Sequence, residues 1–187
     1  MARVDRVLDN VFVTGKQYCK RDIGSQPVAT AVAEELGGGC FMHQSVLTLS
    51  SMVVSVVGAT GVGFGYTKIY DFSAGVIDVL GVTVDITFDT TGTNLDAADG
   101  GDYSLGTTGT ADATLDGTDV NLFAKTGVDP LSDGSTGYLA AGAKFDGTSS
   151  AIDVIFNMLI DDADIGATES LLVNGTIIIT WFNEGDY

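Results

Sequence analysis

The stretch Glu169–Tyr187, E-S-L-L-V-N-G-T-I-I-I-T-W-F-N-E-G-D-Y, decides the fold of this chain. Two runs rich in β-forming residues, Leu171–Val173 and Thr176–Phe182, meet at Asn174-Gly175, a dipeptide that favours turns with positive φ. The stretch is therefore predicted to be either a closing hairpin or one long strand with a bulge at its glycine.

Both faces of this stretch are apolar. The two-residue period of a strand puts Ile177, Ile179 and Trp181 on one face. Ile178 and Phe182 fall on the opposite face. A strand that is apolar on both faces is typical of the centre of a sheet. We therefore expect Ile177, Ile179, Trp181 and Phe182 to lie in the core or at a contact between subunits.

Much of the remaining chain also has the pattern of short strands. Val82–Phe88 alternates apolar and polar residues at every position, and Ile152–Ile160 keeps one apolar face throughout. Further strands are predicted at Val46–Val57, Thr67–Phe72, Val76–Leu80, Ala113–Leu115, Asp119–Ala124 and Tyr138–Phe145. About eight strands separated by turn residues indicate an all-β protein, either an antiparallel jelly-roll-like β-sandwich or a related barrel.

The first 44 residues differ from the rest of the chain. They are predicted to form an extended N-terminal arm and linker, and residues 45–187 are predicted to form the β-sandwich domain. Residues 28–36, V-A-T-A-V-A-E-E-L, fit a short helix stopped by three glycines, although Val and Thr fit a strand equally well.

Charge is distributed unevenly along the chain. Residues 1–21 carry a formal charge of +3 and the remainder carries −20, which together give the total of −17. So acidic a body repels nucleic acid and anionic membranes, whereas a basic and apolar arm can bind an acidic surface or remain solvated. The candidate contact residues of the arm are Arg3, Arg6, Val11, Phe12, Lys16, Lys20 and Arg21. The N-terminus has no apolar run typical of a secretion signal, so synthesis in a cytoplasm is expected.

The sequence offers no catalytic constellation. His43 is the only histidine, which leaves a serine protease-like triad or a multi-histidine zinc site dependent on this one residue. Cys19 and Cys40 are predicted to be free thiols rather than a disulfide. We therefore expect no enzyme activity, no cofactor and no metal of the kind that histidine and cysteine hold.

Asp-rich loops leave a second interpretation open. From Asp89 to Asp119, 21 of 31 residues are Asp, Thr or Gly, and Asp is common in β-connections because its side chain bonds to nearby backbone groups. Carboxylates on loops also suit Ca²⁺. The clusters are Asp96, Asp99 and Asp102, then Asp116 and Asp119, and then Asp161, Asp162 and Asp164.

Several stretches together resemble a group of small structural proteins of tailed bacteriophages. The resembling stretches are Thr67–Ile77 (T-K-I-Y-D-F-S-A-G-V-I), Tyr103–Val120 (Y-S-L-G-T-T-G-T-A-D-A-T-L-D-G-T-D-V), Phe145–Thr148 (F-D-G-T) with Ala151–Asn157 (A-I-D-V-I-F-N), Ile160–Ile165 (I-D-D-A-D-I) and the C-terminal stretch quoted above. They cover residues 65–187, and residues 1–44 lie outside the resemblance.

The resemblance implies a jelly-roll virion protein, usually a trimer, on the outside of a capsid, where it decorates or cements the shell. Its expected partners are the major capsid protein of the same virus and further copies of itself, with no nucleic acid and no membrane. The alternative is a head-fibre or adhesion-type β-domain that binds host-surface carbohydrate, with Ca²⁺ held by the Asp-rich loops.

Overall fold

The computed structural model describes residues 24–37, 42–59, 61–91, 93–139, 142–161, 165 and 168–185. Within these residues the regular structure consists of ten β-strands and two short 3-10 turns, at Gly117–Asp119 and Leu131–Asp133. The strands are β1 (Ala31–Gly37), β2 (Met42–Ala59), β3 (Val62–Asp71), β4 (Gly75–Thr90), β5 (Gly101–Gly106), β6 (Phe123–Val128), β7 (Ser135–Leu139), β8 (Ala143–Gly147), β9 (Asp153–Ile160) and β10 (Glu169–Asn183). The prediction of an all-β protein is confirmed for this part of the chain.

The strands form one antiparallel sheet that curls almost closed. Their order is β6-β5-β9-β3-β2-β10-β4-β7, while β1 pairs with β2 and β8 pairs with β4. The two ends of this order approach each other, since a Cβ at Gly137 of β7 would lie 3.1 Å from the Phe123 ring of β6. The Tyr103 hydroxyl of β5 also lies 2.9 Å from Ser135 Oγ of β7. The result is a barrel-like molecule with its apolar side chains inside.

Strand β10 lies in the middle of this sheet. It pairs with β2 on one side and with β4 on the other along nearly its whole length. Ile177, Ile179 and Trp181 are fully buried, whereas Phe182 is half-buried on the opposite face. The predicted central position of this strand is confirmed, as is the core position of its three inward residues.

Asn174-Gly175 lies inside one continuous strand, β10, and not in a hairpin. The register of β10 with β4 runs through both residues without a shift, whereas the register with β2 shifts because Ser50 and Ser51 are opposite Asn174 alone. The extra residue of this bulge therefore lies in β2, where Ser51 has a φ of +50° and its N–H donates a hydrogen bond to Asn174 Oδ1 at 2.7 Å. Gly175 of β10 has a φ of +126°. Of the two predicted alternatives the single long strand is correct, but the bulge expected at its glycine belongs to the neighbouring strand.

Strand β1 replaces the helix predicted at residues 28–36. Ala31 is buried, while Val32 and Glu34 are exposed, so the chain has the period of a strand here. Pairing with β2 satisfies the backbone groups that a helix would satisfy internally. The helix prediction is therefore wrong, and Ala31–Gly37 together with the start of β2 belongs to the sheet.

The Asp-rich region contains a strand that its composition did not predict. Gly101–Gly106 forms β5 in the interior of the sheet, whereas Ala113–Leu115, predicted to be a strand, lies in irregular structure. The predicted strand Asp119–Ala124 begins only at Phe123, after a 3-10 turn. The predicted strand at residues 138–145 is two strands, β7 and β8, which pair with different halves of β4.

The connection that follows β5, residues 107–122, folds over the outer face of β9. Asn157 of β9 is fully buried although it points away from the core. Its Oδ1 accepts a hydrogen bond from Thr110 N at 2.8 Å, and its Nδ2 donates to the carbonyl oxygens of Thr108 and Asp119 at 3.0 Å each. This connection therefore provides the cover that the apolar second face of β9 requires.

Candidate interaction surface

The only histidine of the chain lies in the core. The His43 ring is 4% exposed and stacks on Trp181 with the ring centroids 4.4 Å apart. Trp181 Nε1 donates a hydrogen bond to Ser45 Oγ at 2.8 Å, and Ser45 Oγ donates to the Tyr70 hydroxyl at 3.2 Å. Trp181, Ser45 and Tyr70 are thus linked by hydrogen bonds inside the barrel-like core, as most buried polar groups are.

The chain enters the β-domain beside an ion-paired cluster at the end of β3. Ser25 and Asp71 exchange backbone hydrogen bonds of 2.8 Å, which fixes the first described residues to the sheet. Lys68 Nζ lies 2.7 Å from Asp71 Oδ1 and 3.0 Å from Asp153 Oδ1. Burial raises the pKa of Asp71, against the opposing effect of Lys68, and the hydrogen bond to Asp71 raises the pKa of Lys68. Lys68 therefore forms ion pairs with both Asp71 and Asp153.

Several acidic side chains of the described loops bond to their own loop. Asp96 Oδ1 accepts a hydrogen bond from Ala98 N at 2.7 Å, and Asp112 Oδ1 accepts one from Thr114 N at 3.0 Å. Asp146 accepts two from Thr148, which lower the pKa of that carboxyl group. Among the residues that the structure describes, no group of three or more His, Cys, Asp or Glu could hold a metal ion. Asp162 and Asp164, named above for Ca²⁺, lie outside those residues.

Among the described residues, two groups of neighbouring apolar side chains lie on the outside of the sheet. The first, which we call the β2–β3 patch, consists of Val53, Ser55, Val57, Phe64, Tyr66 and Leu172. Cross-strand pairs bring its members together, since Val57 is opposite Phe64 and Val53 is opposite Leu172. Val53 and Val57 are each 46% exposed, which is unusual for two valines on one strand face.

The ring of Tyr66 forms one wall of a groove in this patch. The groove encloses about 340 Å³ between Ser55, Val57, Phe64, Gly65, Tyr66 and Thr110. Tyr66 is opposite Asn157 in the register of β3 and β9, and a Cβ at Gly109 would overlap the Tyr66 ring. The loop that Asn157 holds therefore supports one face of this ring and leaves 53% of the side chain exposed.

The second outer apolar surface, which we call the β2–β10 ridge, consists of Met42, Val46, Ile178 and Phe182. Phe182 pairs with Met42, and Ile178 pairs with Val46. Carboxylates border this ridge on both sides. Glu34 of β1 is opposite Val46, and Asp78 of β4 is opposite Phe182. Lys144 of β8 is opposite Asp78, so the ridge combines apolar area with charged groups of both signs, a combination that suits a partner carrying apolar and charged groups.

The sequence predicted only part of these surfaces. Phe182, predicted for the core or a contact, lies on the ridge, whereas Val53 and Val57 were not predicted as surface residues. The run V-V-S-V-V at residues 53–57 carries the available signal, because it places valine on both faces of β2. The candidate contact residues of the arm lie outside the described residues: Arg3, Arg6, Val11, Phe12, Lys16, Lys20 and Arg21.

Comparison with family models, with curated proteins and with solved structures finds no match to this chain. No helix among the described residues is long and apolar enough to cross a membrane.

Proposed function

We propose that the protein is a non-enzymatic structural component of a tailed-bacteriophage virion. It decorates or cements the outer surface of the capsid as a homotrimer, after synthesis in the host cytoplasm. Its arm and the edges of its sheet bind the major capsid protein. The resemblance of residues 65–187 to small phage virion proteins supports this function.

We also propose that the fold is a jelly roll. The strand order supports this description, because it divides into the four-stranded sets β2-β10-β4-β7 and β3-β9-β5-β6. In each set a late strand, β10 or β9, lies between two earlier strands, as it does in two interlocked Greek keys.

The observation that carries the proposed function is the β2–β10 ridge. On a protein of net charge −17, four apolar side chains on one outer face, with Met42 43% exposed and the other three half-buried, are typical of a surface that binds another protein. The carboxylates beside the ridge repel nucleic acid and anionic lipid, and they favour a partner that supplies basic groups. A high negative charge also keeps a decoration protein soluble until it binds its capsid.

Deletion of residues 1–21 tests the arm. The truncated protein is expected to lose co-sedimentation with undecorated capsids of the virus that encodes it, because the deletion removes five basic residues and the apolar residues among them. Circular dichroism and thermal unfolding provide the control, since the first described contacts of the β-domain begin at Gly24 and Ser25. Undiminished capsid binding by a truncated protein that remains folded would contradict the role of the arm.

A variant with Arg3, Arg6, Lys16, Lys20 and Arg21 replaced by serine separates charge from apolar contact. Loss of binding by this variant and by the deletion assigns the attachment to charge. Loss by the deletion alone assigns it to the apolar residues of the arm. If neither the deletion, this variant nor the wild-type protein binds capsids, the proposed function is wrong.

A further inference from the structure

We propose that the β2–β3 patch is the surface through which copies of this chain associate. The proposal rests on the oligomeric part of the proposed function, and it names the residues that would bring the copies together. It is independent of how, or whether, the arm binds a capsid.

The charge of the chain restricts where copies can meet. Two bodies of net charge −17 repel each other, and the repulsion is strongest where carboxylates of both copies approach closely. Residues 53–57, 64–66 and 170–172, which contain the patch, have no charged side chain. Asp89 of β4 is opposite Leu172 at the edge of the patch, where its Oδ2 accepts a hydrogen bond from Asn174 Nδ2 at 3.0 Å. Copies can therefore approach here without bringing carboxylates of these segments together.

The composition of the patch fits the centre of a protein interface. Valine, leucine, phenylalanine and tyrosine provide apolar area, and Ser55 is its one small polar member. Half-exposed side chains on adjacent strands give an apolar surface of a few hundred Å², which is at the upper end for a monomer. A standard interface needs about 800 Å² per partner, so the patch supplies the centre and its surroundings supply the rim.

The patch is also rigid before any partner binds. Val53 and Val57 lie on a strand that pairs on both sides, and the Tyr66 ring rests against Gly109 in the loop fixed by Asn157. Tyrosine contributes much contact area for little loss of side-chain entropy, which makes it a frequent centre of binding energy. Little conformational freedom therefore remains to be lost on association.

The β2–β10 ridge is less suited to self-association. Glu34 and Asp78 border it, and Lys144 of β8 is opposite Asp78, so a contact centred on the ridge would have to cover charged groups of both signs. The centres of protein interfaces are depleted of charged residues. The patch, whose own segments contain no charged residue, is therefore the better site for contact between copies, and the ridge remains available for a different partner.

Substitution of aspartate into the patch tests this assignment. Val57→Asp is expected to raise the protein concentration at which half of the oligomer is dissociated by at least about tenfold. Size-exclusion chromatography with light scattering over a range of protein concentrations measures this value. Val57→Ser, which adds no charge, is expected to raise it less. Val32→Asp is the matched control, because Val32 is also an exposed valine on an outer strand face, at 57%, but lies on β1 and outside the patch.

The outcomes separate this inference from the proposed function. An oligomer that Val57→Asp dissociates and Val32→Asp leaves intact, with unchanged thermal unfolding of the dissociated chain, supports the inference even if no capsid is bound. A wild-type protein that is monomeric at all concentrations overturns it. Equal effects of the two aspartate variants, or intact assembly of Val57→Asp, also overturn it. Should Val57→Asp fail to fold, Val57→Ser decides between the same outcomes.

Discussion

Asn157 shows how one buried amide connects the core to the outer surface. Its side chain has no contact with solvent, and it makes three hydrogen bonds to backbone groups of the connection between β5 and β6. Those backbone groups lie 38 to 49 residues away in the sequence. The amide thus holds the loop that supports Tyr66, and through that ring it shapes the β2–β3 patch.

Asn157→Ala is expected to lower the free energy of unfolding by about 2–4 kcal/mol, because it leaves buried backbone donors and acceptors without partners. Residues 107–119 should also exchange their amide hydrogens faster than the strands do, which hydrogen-exchange mass spectrometry measures. Asn121→Ala is the control, since the Asn121 side chain bonds only to Thr107 in the same loop and is half-buried. Equal losses of stability in the two variants would show that Asn157 has no special role.

The sequence predicted the strand that carries Asn157 but not the function of this residue. The alternation from Ile152 to Ile160 predicted β9 and the need for some cover over its second face. It gave no means of choosing that cover, because the covering residues are distant in the sequence and consist mainly of Asp, Thr and Gly. Long-range hydrogen bonds leave no local periodic signal.

The two faces of strand β10 differ, because one lies in the core and the other lies on the outer surface. Its inward residues include Ile177, Ile179 and Trp181, whereas Ile178 and Phe182 form half of the β2–β10 ridge. An extra residue in β2, at Ser50 and Ser51 opposite Asn174, moves the inward positions of β2 from Leu47 and Leu49 to Met52 and Val54. Strand β10 keeps the same alternation past this bulge, so β2 and β10 stay paired along most of their lengths.

Gly175→Ala is expected to disrupt this arrangement. Gly175 has a φ of +126°, and a Cβ there would overlap the carbonyl oxygen of Asp85 in β4. The strain and the displaced strand should together cost more than about 2 kcal/mol of unfolding free energy, measured by urea denaturation. Gly117→Ala is the control, since Gly117 has a φ of +54° and no atom lies within 4 Å of the position that a Cβ would occupy there. That variant should cost about 1 kcal/mol.

A loss of stability in Gly175→Ala no larger than in Gly117→Ala would show that neither the backbone conformation nor the β4 carbonyl restricts position 175. The comparison sets a crowded glycine at a φ of +126°, outside the left-handed region that other residues adopt, against an uncrowded one at +54° inside that region.

Elements with strong alternation were the ones that the sequence predicted well. In Val82–Phe88 each apolar residue is followed by a polar one, so the pattern itself predicts which side chains are buried. In β10 the two-residue period of a strand predicted which residues share the inward face. Strand β1 and strand β5 were missed for different reasons. Residues 28–36 fit helix and strand equally by propensity, so tertiary pairing with β2 decided between them. The glycines and aspartate of β5 favour turns, and only burial between β6 and β9 makes this segment a strand.

The net charge of −17 acts on association of the whole molecule more than on its fold. Many acidic residues lie on exposed loops and strand faces, whereas the β2–β3 patch itself carries none and has Asp89 only at its β4 edge. Assembly through the patch therefore combines a short-range apolar attraction with a long-range repulsion between the remaining surfaces. These two contributions respond oppositely to salt, because screening weakens only the electrostatic one.

Raising NaCl from about 20 mM to about 500 mM shortens the Debye length from about 20 Å to about 4 Å, so association through the patch should become several-fold tighter. Analytical ultracentrifugation at each salt concentration measures the dissociation constant. Attachment of the basic arm to a capsid should respond in the opposite direction, because salt screens an attraction in that case. Self-association that weakened as salt increased would place charged groups of opposite sign at the contact between copies, and the β2–β3 patch could not then be its centre.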